Sequence, residues 1–325
     1  MKVLLVSGFL GAGKTTFIKE LLKHTKRYTA VLENEFGDIS LDSREISGST
    51  DNKDMQVLEF MEGCVCCSKK DSFLYSILTV STGIAPEYLI VEPSGVAKLS
   101  NILAGLEKVK YEKIIPVSPI VIVSAKTFFT NLQEYNDLVK DHILNAGHVI
   151  FSKTEGMSVD ELEEVKSKIK EINPDVKITE SYQDGKSDEW WTEVMSDEAP
   201  AKVVGADNGD DGQPDFEQMT LDLIEFDRVG AVAGFCESLL SGQYGNIARA
   251  KGVVKVGTEA MRFDIADETY VITGGEEPFQ SVFIGKSIDR EKLSGKYGRY
   301  TLPKNISKKA VGKETAGGNI KMRPR

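Results

Sequence analysis

Residues 8–15 read Gly-Phe-Leu-Gly-Ala-Gly-Lys-Thr, which fits the pattern G-x-x-x-x-G-K-[ST] between a strand and a helix. Gly8, Gly11 and Gly13, with the small Ala12 between the last two, let backbone N–H groups curl around a phosphate without side-chain clash. Lys14 is placed to neutralise β- and γ-phosphates and the Thr15 hydroxyl to hold Mg²⁺, while Thr16 joins the nucleotide-binding residues. A second magnesium-side carboxylate is expected at the end of a later strand. The apolar run 88–91 is followed by Glu92-Pro93-Ser94-Gly95, where Glu92 supplies that carboxylate, Pro93 stiffens the loop and the Gly95 N–H faces the γ-phosphate. Lys14, Thr15, Glu92 and Gly95 are therefore the expected catalytic group.

Base selection falls to a third loop. The apolar run 148–151 leads into Ser152-Lys153-Thr154-Glu155, where guanine-binding proteins usually show Asn-Lys-x-Asp. A carboxylate there accepts two hydrogen bonds from the N1–H and N2–H₂ edge of guanine, which adenine does not offer. Glu155 keeps the carboxylate with one more methylene, Lys153 lays its stem over the ring, and Ser152 stands in place of Asn, so guanine is favoured over adenine.

Sulfur chemistry is concentrated in one place. Three of the four cysteines, Cys64, Cys66 and Cys67, lie within four residues, a density that suits a thiolate metal site in a reducing cytoplasm. Zn²⁺ favours such donors, and Co²⁺, Ni²⁺, Fe²⁺ and Cu⁺ also fit by ligand softness. Buried small hydrophobes or a redox pair are the competing readings. With three histidines in the chain, a carboxylate is the better fourth ligand. Cys236, alone in an apolar helix-like stretch, reads as a buried core thiol.

The elements that must position these residues alternate. Apolar runs at 3–7, 29–33, 56–60, 88–91, 120–123 and 148–151 are interleaved with helical spacing at 14–24, 72–78 and 128–138. That pattern predicts an α/β fold, a P-loop NTPase parallel sheet with helices on both faces. Residues 155–227 carry 22 acidic against 6 basic residues, and a solvated linker is expected within them. A smaller α+β C-terminal domain then follows, with strands at 221–226, 252–256, 261–265, 270–273 and 281–285 and a helix at 229–240. The expected division is 1–200, 201–218 for the acidic linker, 219–293, and a basic, mobile tail at 294–325. Net charge of −10 argues against a nucleic-acid partner, and no apolar run is long enough for a membrane span. Residues 1–10 lack the shape of a signal peptide, and no N-terminal segment for target recognition is expected.

Together these residues resemble the CobW-like GTPase family, also described as nucleotide-dependent metallochaperones. The resemblance rests on GFLGAGKTT at 8–16, ENEFGDISLD at 33–42, GCVCC at 63–67 and VEPSG at 91–95, with ARAKG at 248–252 and VFIGK at 282–286 in the second module. It implies hydrolysis of GTP to GDP with Mg²⁺, coupled to binding of a transition metal, zinc by default and cobalt or nickel as alternatives. It implies a metalloprotein client and leaves a homodimer open. By the same resemblance, Glu33 and Asp38 become candidate metal or switch carboxylates beside Cys66 and Cys67. The chain departs from the family in having no histidine after His148. An ATP-dependent small-molecule kinase and a slow GTPase acting as a metal sensor are the other readings. No glutamine or arginine stands out as a catalytic finger, so slow turnover is expected.

Overall fold

A computed structural model describes residues 1–25, 27–33, 55–59, 70–109, 114–183, 185–197, 203–205, 216–297 and 299–300. The chain opens with β1 (Lys2–Ser7), whose side chains are buried from Val3 onward. Helix α1 (Lys14–His24) follows and turns Phe17, Ile18, Leu21 and Leu22 inward. Strands β2 (Thr29–Glu33), β3 (Met55–Glu59), β4 (Tyr88–Glu92), β5 (Ile115–Pro116), β6 (Ile120–Ser124), β7 (His148–Ser152) and β8 (Lys177–Thr179) complete an eight-stranded sheet. Its order is β3-β2-β4-β1-β6-β7-β8, with β5 beside β1, and its pairings are parallel.

A parallel sheet needs cover on both faces, and β1 shows how it is obtained. Val3 and Leu5 enter one core, with α2 (Lys70–Gly83), α3 (Leu99–Val109), α4 (Phe128–Glu134), α5 (Asn136–Leu144) and α6 (Val159–Ile172). Leu4 and Val6 point the other way, to a core closed by α1 and α7 (Asp188–Val194). The neighbours of β1 are β4 and β6, so chain order reverses there, and a crevice forms beyond the carboxyl ends of these strands. The expected parallel α/β fold is present.

The second sheet is mostly antiparallel. It contains β9 (Glu217–Asp222), β10 (Glu225–Phe226), β11 (Asn246–Val256), β12 (Glu259–Ala266), β13 (Thr269–Gly274), β14 (Gln280–Lys286) and β15 (Arg299–Tyr300). One face is covered by α8 (Val229–Leu240), whose Phe235, Cys236 and Leu239 pack with Phe263, Ile265 and Phe283. Cys236 is the expected core thiol, and burial pushes its pKa up to about 12. On the opposite face Val282 and Ile284 join the core of the first sheet, so the two sheets share an apolar seam.

Three expected segments end differently. The helix expected at 128–138 divides at Tyr135, whose φ of −127° and ψ of 42° leave the helical region. Its ring instead packs on Phe9 and Phe216, with centroids 4.7 and 5.0 Å away. The strand expected at 221–226 breaks at Leu223, where φ is +53°. The second unit also begins and ends outside its expected bounds of 219 and 293. β9 starts at Glu217, while α9 (Arg290–Tyr297) and β15 continue the fold to Tyr300. Buried Leu293 and the contact of Tyr297 with Phe235, centroids 4.5 Å apart, hold α9 in place.

Candidate functional site: a phosphate loop under a second sheet

The loop after β1 leads straight into α1. Gly13 takes φ +91° at the helix N-cap, and neither a side-chain cap nor a first-turn acid sits at this end. A helix start of that kind presents backbone N–H groups and a positive dipole end to an anion. Lys14 is buried, and its Nζ donates to the carbonyls of Gly8 and Phe9, each at 3.2 Å. Thr15 Oγ1 donates to both carboxylate oxygens of Glu92, at 3.1 Å each, so a motif residue of α1 meets the last residue of β4. A hydroxyl and a carboxylate side by side are hard oxygen donors of the type Mg²⁺ accepts.

Gly95 lies against the phosphate loop itself: a Cβ there would fall 2.7 Å from Leu10 N and 3.1 Å from Gly8 O. The turn beyond it is anchored from α5. His142 Nε2 meets Ala97 O at 2.9 Å, and Ser100 N donates to Asp141 Oδ2 at 3.1 Å. Burial lowers the His142 pKa, so the neutral ring, with Nε2–H as donor, suits this place.

The third loop is split in its placement. Ser152 Oγ donates to Ala12 O at 2.6 Å and so ties this loop to the phosphate loop. Lys153, at φ +54°, reaches the cavity and is ion-paired with Asp267. Glu155 is exposed beyond it, outside the cavity lining. Thr16 lines the cavity and is exposed.

The cavity measures about 500 Å³ and has two walls. Gly11, Gly13, Lys14, Thr15, Glu92 and Gly95 form part of the first. The second comes from the antiparallel sheet: Arg249, Arg262, Asp264, Ala266, Thr269 and Thr273. Ala266 approaches so closely that a Cβ on Gly11 would lie 2.6 Å from its Cβ. The hairpin turn between β12 and β13 is Asp267-Glu268, both at positive φ (51° and 59°). It delivers the Asp267 carboxylate to Lys153 and, at 3.2 Å, to the Thr127 hydroxyl.

Asp38, Cys64, Cys66 and Cys67 lie outside the described residues, as does the side chain of Glu33. Among the described residues no group of three His, Cys, Asp or Glu side chains is arranged to hold a metal. The backbone does set Glu33, Glu59 and Glu92 in one row, in register across β3, β2 and β4 at the carboxyl edge of the sheet.

Residues 2–180 match the CobW/HypB/UreG nucleotide-binding domain, more than half of the chain. The chain belongs to the CobW/HypB/UreG family. The match ends at β8, the last strand of the parallel sheet, so the family's nucleotide-binding domain corresponds to the first sheet with α1 to α6, and α7 lies beyond it. Among curated relatives, "Zinc chaperone CobW" of Sinorhizobium sp is 31% identical over 123 residues, 36% of this chain and 34% of that protein. "Zinc-regulated GTPase metalloprotein activator 1" of Dictyostelium discoideum is 23% identical over 218 residues, 56% of this chain and 46% of that one. The chain thus spans between about a third and a half of these two relatives' lengths. A Zn(II)-bound YjiA GTPase structure from E. coli aligns over 91% of this chain and 97% of its own, at 19% identity and a TM-score of 0.45.

For this CobW/HypB/UreG member, the second wall was missed in the sequence reading. The signal available was β12, where Arg262, Asp264 and Ala266 alternate with core-facing Phe263 and Ile265. The ARAKG run also contains Arg249, but nothing local shows which surface it faces. No described helix is long and apolar enough to cross a membrane.

Proposed function

We propose that the chain binds and slowly hydrolyses GTP, and couples nucleotide state to binding a transition metal, zinc first, and passing it to a metalloprotein client. The observation that carries this reading is the convergence of Lys14, Thr15, Glu92 and Gly95 on one cavity at the carboxyl edge of a parallel sheet. Lys14 offsets phosphate charge there. Thr15 and Glu92 would hold Mg²⁺, which neutralises charge on the phosphates. Gly95 offers its N–H beside the loop, and Lys153 and Glu155 belong to the loop assigned to guanine.

Metal coupling draws support from connectivity and from the relatives' names. The segment with Cys64, Cys66 and Cys67 leaves β3 after Glu59, in the same row as Glu33 and Glu92. A ligand set attached at that edge feels any nucleotide-dependent shift of the β4 loop. Affinity for metal then differs between GTP and GDP forms, and metal in turn alters nucleotide affinity by the same factor.

The test is a titration of Zn²⁺, Co²⁺ and Ni²⁺ into the native chain and a C64S/C66S/C67S variant, each with GTP or GDP. A GTP-against-ATP binding comparison accompanies it. The native chain is expected to change metal affinity about 5- to 150-fold between nucleotide states, and the variant to lose the metal while keeping GTP. Unchanged metal stoichiometry in the triple variant, or preference for ATP, defeats the reading.

A further inference from the structure

The phosphate cavity has charge from both sheets. Lys14, Lys19 and Lys153 line it from the parallel sheet, Arg249 and Arg262 from the antiparallel one, against the carboxylates of Glu92 and Asp264. The excess of cations suits a polyanion. The two arginines stand on the face of β11 and β12 opposite α8, whose own side is filled by Phe235, Phe263 and Phe283. That face is mixed: Ala266, Val271 and Ile284 line the cavity with the arginines, and Thr269 and Thr273 lie alongside.

Arg249 comes nearest the motif. Its Nη1 lies 3.6 Å from where a Cβ on Gly11 would be, and its side chain is only 16% exposed. Nη2 is 3.3 Å from Asp264 Oδ2, which fixes the fork at this place. A planar guanidinium beside a loop of phosphate-directed N–H groups can bond two phosphate oxygens at once. The docking that puts it there is built, not incidental. Ala266 packs on Gly11, Asp267 ties to Lys153 and Thr127, and Lys286 lies 4.9 Å over the Tyr135 ring, which packs at a tilt on Phe9 of the same loop.

We propose that the second sheet supplies the phosphate-binding arginine of this site in cis: Arg249 contacts the terminal phosphates of the bound nucleoside triphosphate, with Arg262, opposite Val253 farther along the same face, lining the cavity beyond it. This deepens the nucleotide reading above and rests on it. Terminal phosphate is what separates triphosphate from diphosphate, so the second domain senses nucleotide state directly. Arg249 does not stand out in the sequence because it lies far along the chain from the loop it faces.

The experiment uses the full chain and its R249A, R249K and R262A variants, with affinities for GTP and GDP measured by calorimetry and single-turnover hydrolysis followed alongside. R249A is expected to weaken GTP about tenfold more than GDP and to slow hydrolysis about a hundredfold or more. R249K, which keeps charge but loses the fork, should fall between native and R249A. R262A should shift the GTP-to-GDP ratio in the same direction. Should R249A fail to fold by circular dichroism, R249K and R262A carry the test. A GTP-to-GDP affinity ratio within about twofold of native in all folded variants overturns the proposal, as does an equal loss for both nucleotides. If the native chain prefers ATP, the base assignment fails, and the same ratio is read with ATP and ADP.

Discussion

Gly95 is held to its identity by space. A methyl group there would press on Leu10 N at 2.7 Å and on Phe9 C at 3.0 Å, both backbone atoms of the phosphate loop. Loop and β4 turn must then separate, at a cost of about 1–3 kcal/mol, as for other small-to-large changes in packed sites. Gly95→Ala is therefore expected to lower stability by that amount in urea unfolding and to weaken GTP binding in a titration. Native affinity in a fully folded G95A protein would show that the loop does not rest on this residue. Gly8, Gly13, Lys14 and Thr15 were legible in the sequence because a phosphate loop constrains its residues through local backbone geometry. Ser152 was legible only in position. Read as a replacement for a base-loop asparagine, it spends its hydroxyl on Ala12 O at 2.6 Å and joins two loops, a contact that depends on tertiary structure.

The β12–β13 hairpin carries its own test. A two-residue turn with both φ values positive twists with its strands, and Asn, Asp or Gly suit it. Asp267 tolerates φ of 51°, and its carboxylate, 8% exposed, serves Lys153 and Thr127. Asp267→Asn keeps the backbone preference and loses the charge, and is expected to destabilise by about 1 kcal/mol. Asp267→Ala also adds left-handed strain of about 1–2 kcal/mol, so the order of stability is native, Asn, Ala. Equal unfolding midpoints for the Asn and Ala variants would remove the strain argument. Other elements differ in how openly the sequence declares them. The periodicity of α1 and α8 matched their spans from Lys14 to His24 and from Val229 to Leu240. The sequence reading left α6 unnamed, although Ser158 and Glu161 form a capping box before it. Its two buried residues, Val165 and Ile169, make only a narrow stripe among charges. Tyr135 broke an apparent helix because aromatic partners from distant segments outweigh local propensity.

Across the whole molecule, acid sensitivity should begin with histidine. Burial lowers His148 from 6.5 to about 4, and Lys177 adds to the shift. Asp197 opposes it, and Nε2 meets Thr179 Oγ1 at 2.8 Å on the neighbouring strand β8. Burial lowers His142 as well. A histidine with a folded pKa below its unfolded value takes up its proton less readily when native. Stability is then complete above about 6.5 and is lost as pH falls toward about 4, by up to about 3 kcal/mol for His148. The carboxylates enter later. Glu20, lowered by its hydrogen bond to Lys23, and Glu161, lowered by Ser158 N, lose their share only as pH falls below about 4.5. Urea unfolding of native and His148→Gln proteins between about pH 7 and pH 4.5 separates the two groups, because glutamine can keep the bond to Thr179 without titrating. Native stability is expected to fall across that range and the H148Q curve to be flatter, with His142 accounting for the remaining slope. Parallel curves would mean that β7 accepts a charged ring at its edge, and that acid unfolding of this net-negative chain is governed by its carboxylates instead.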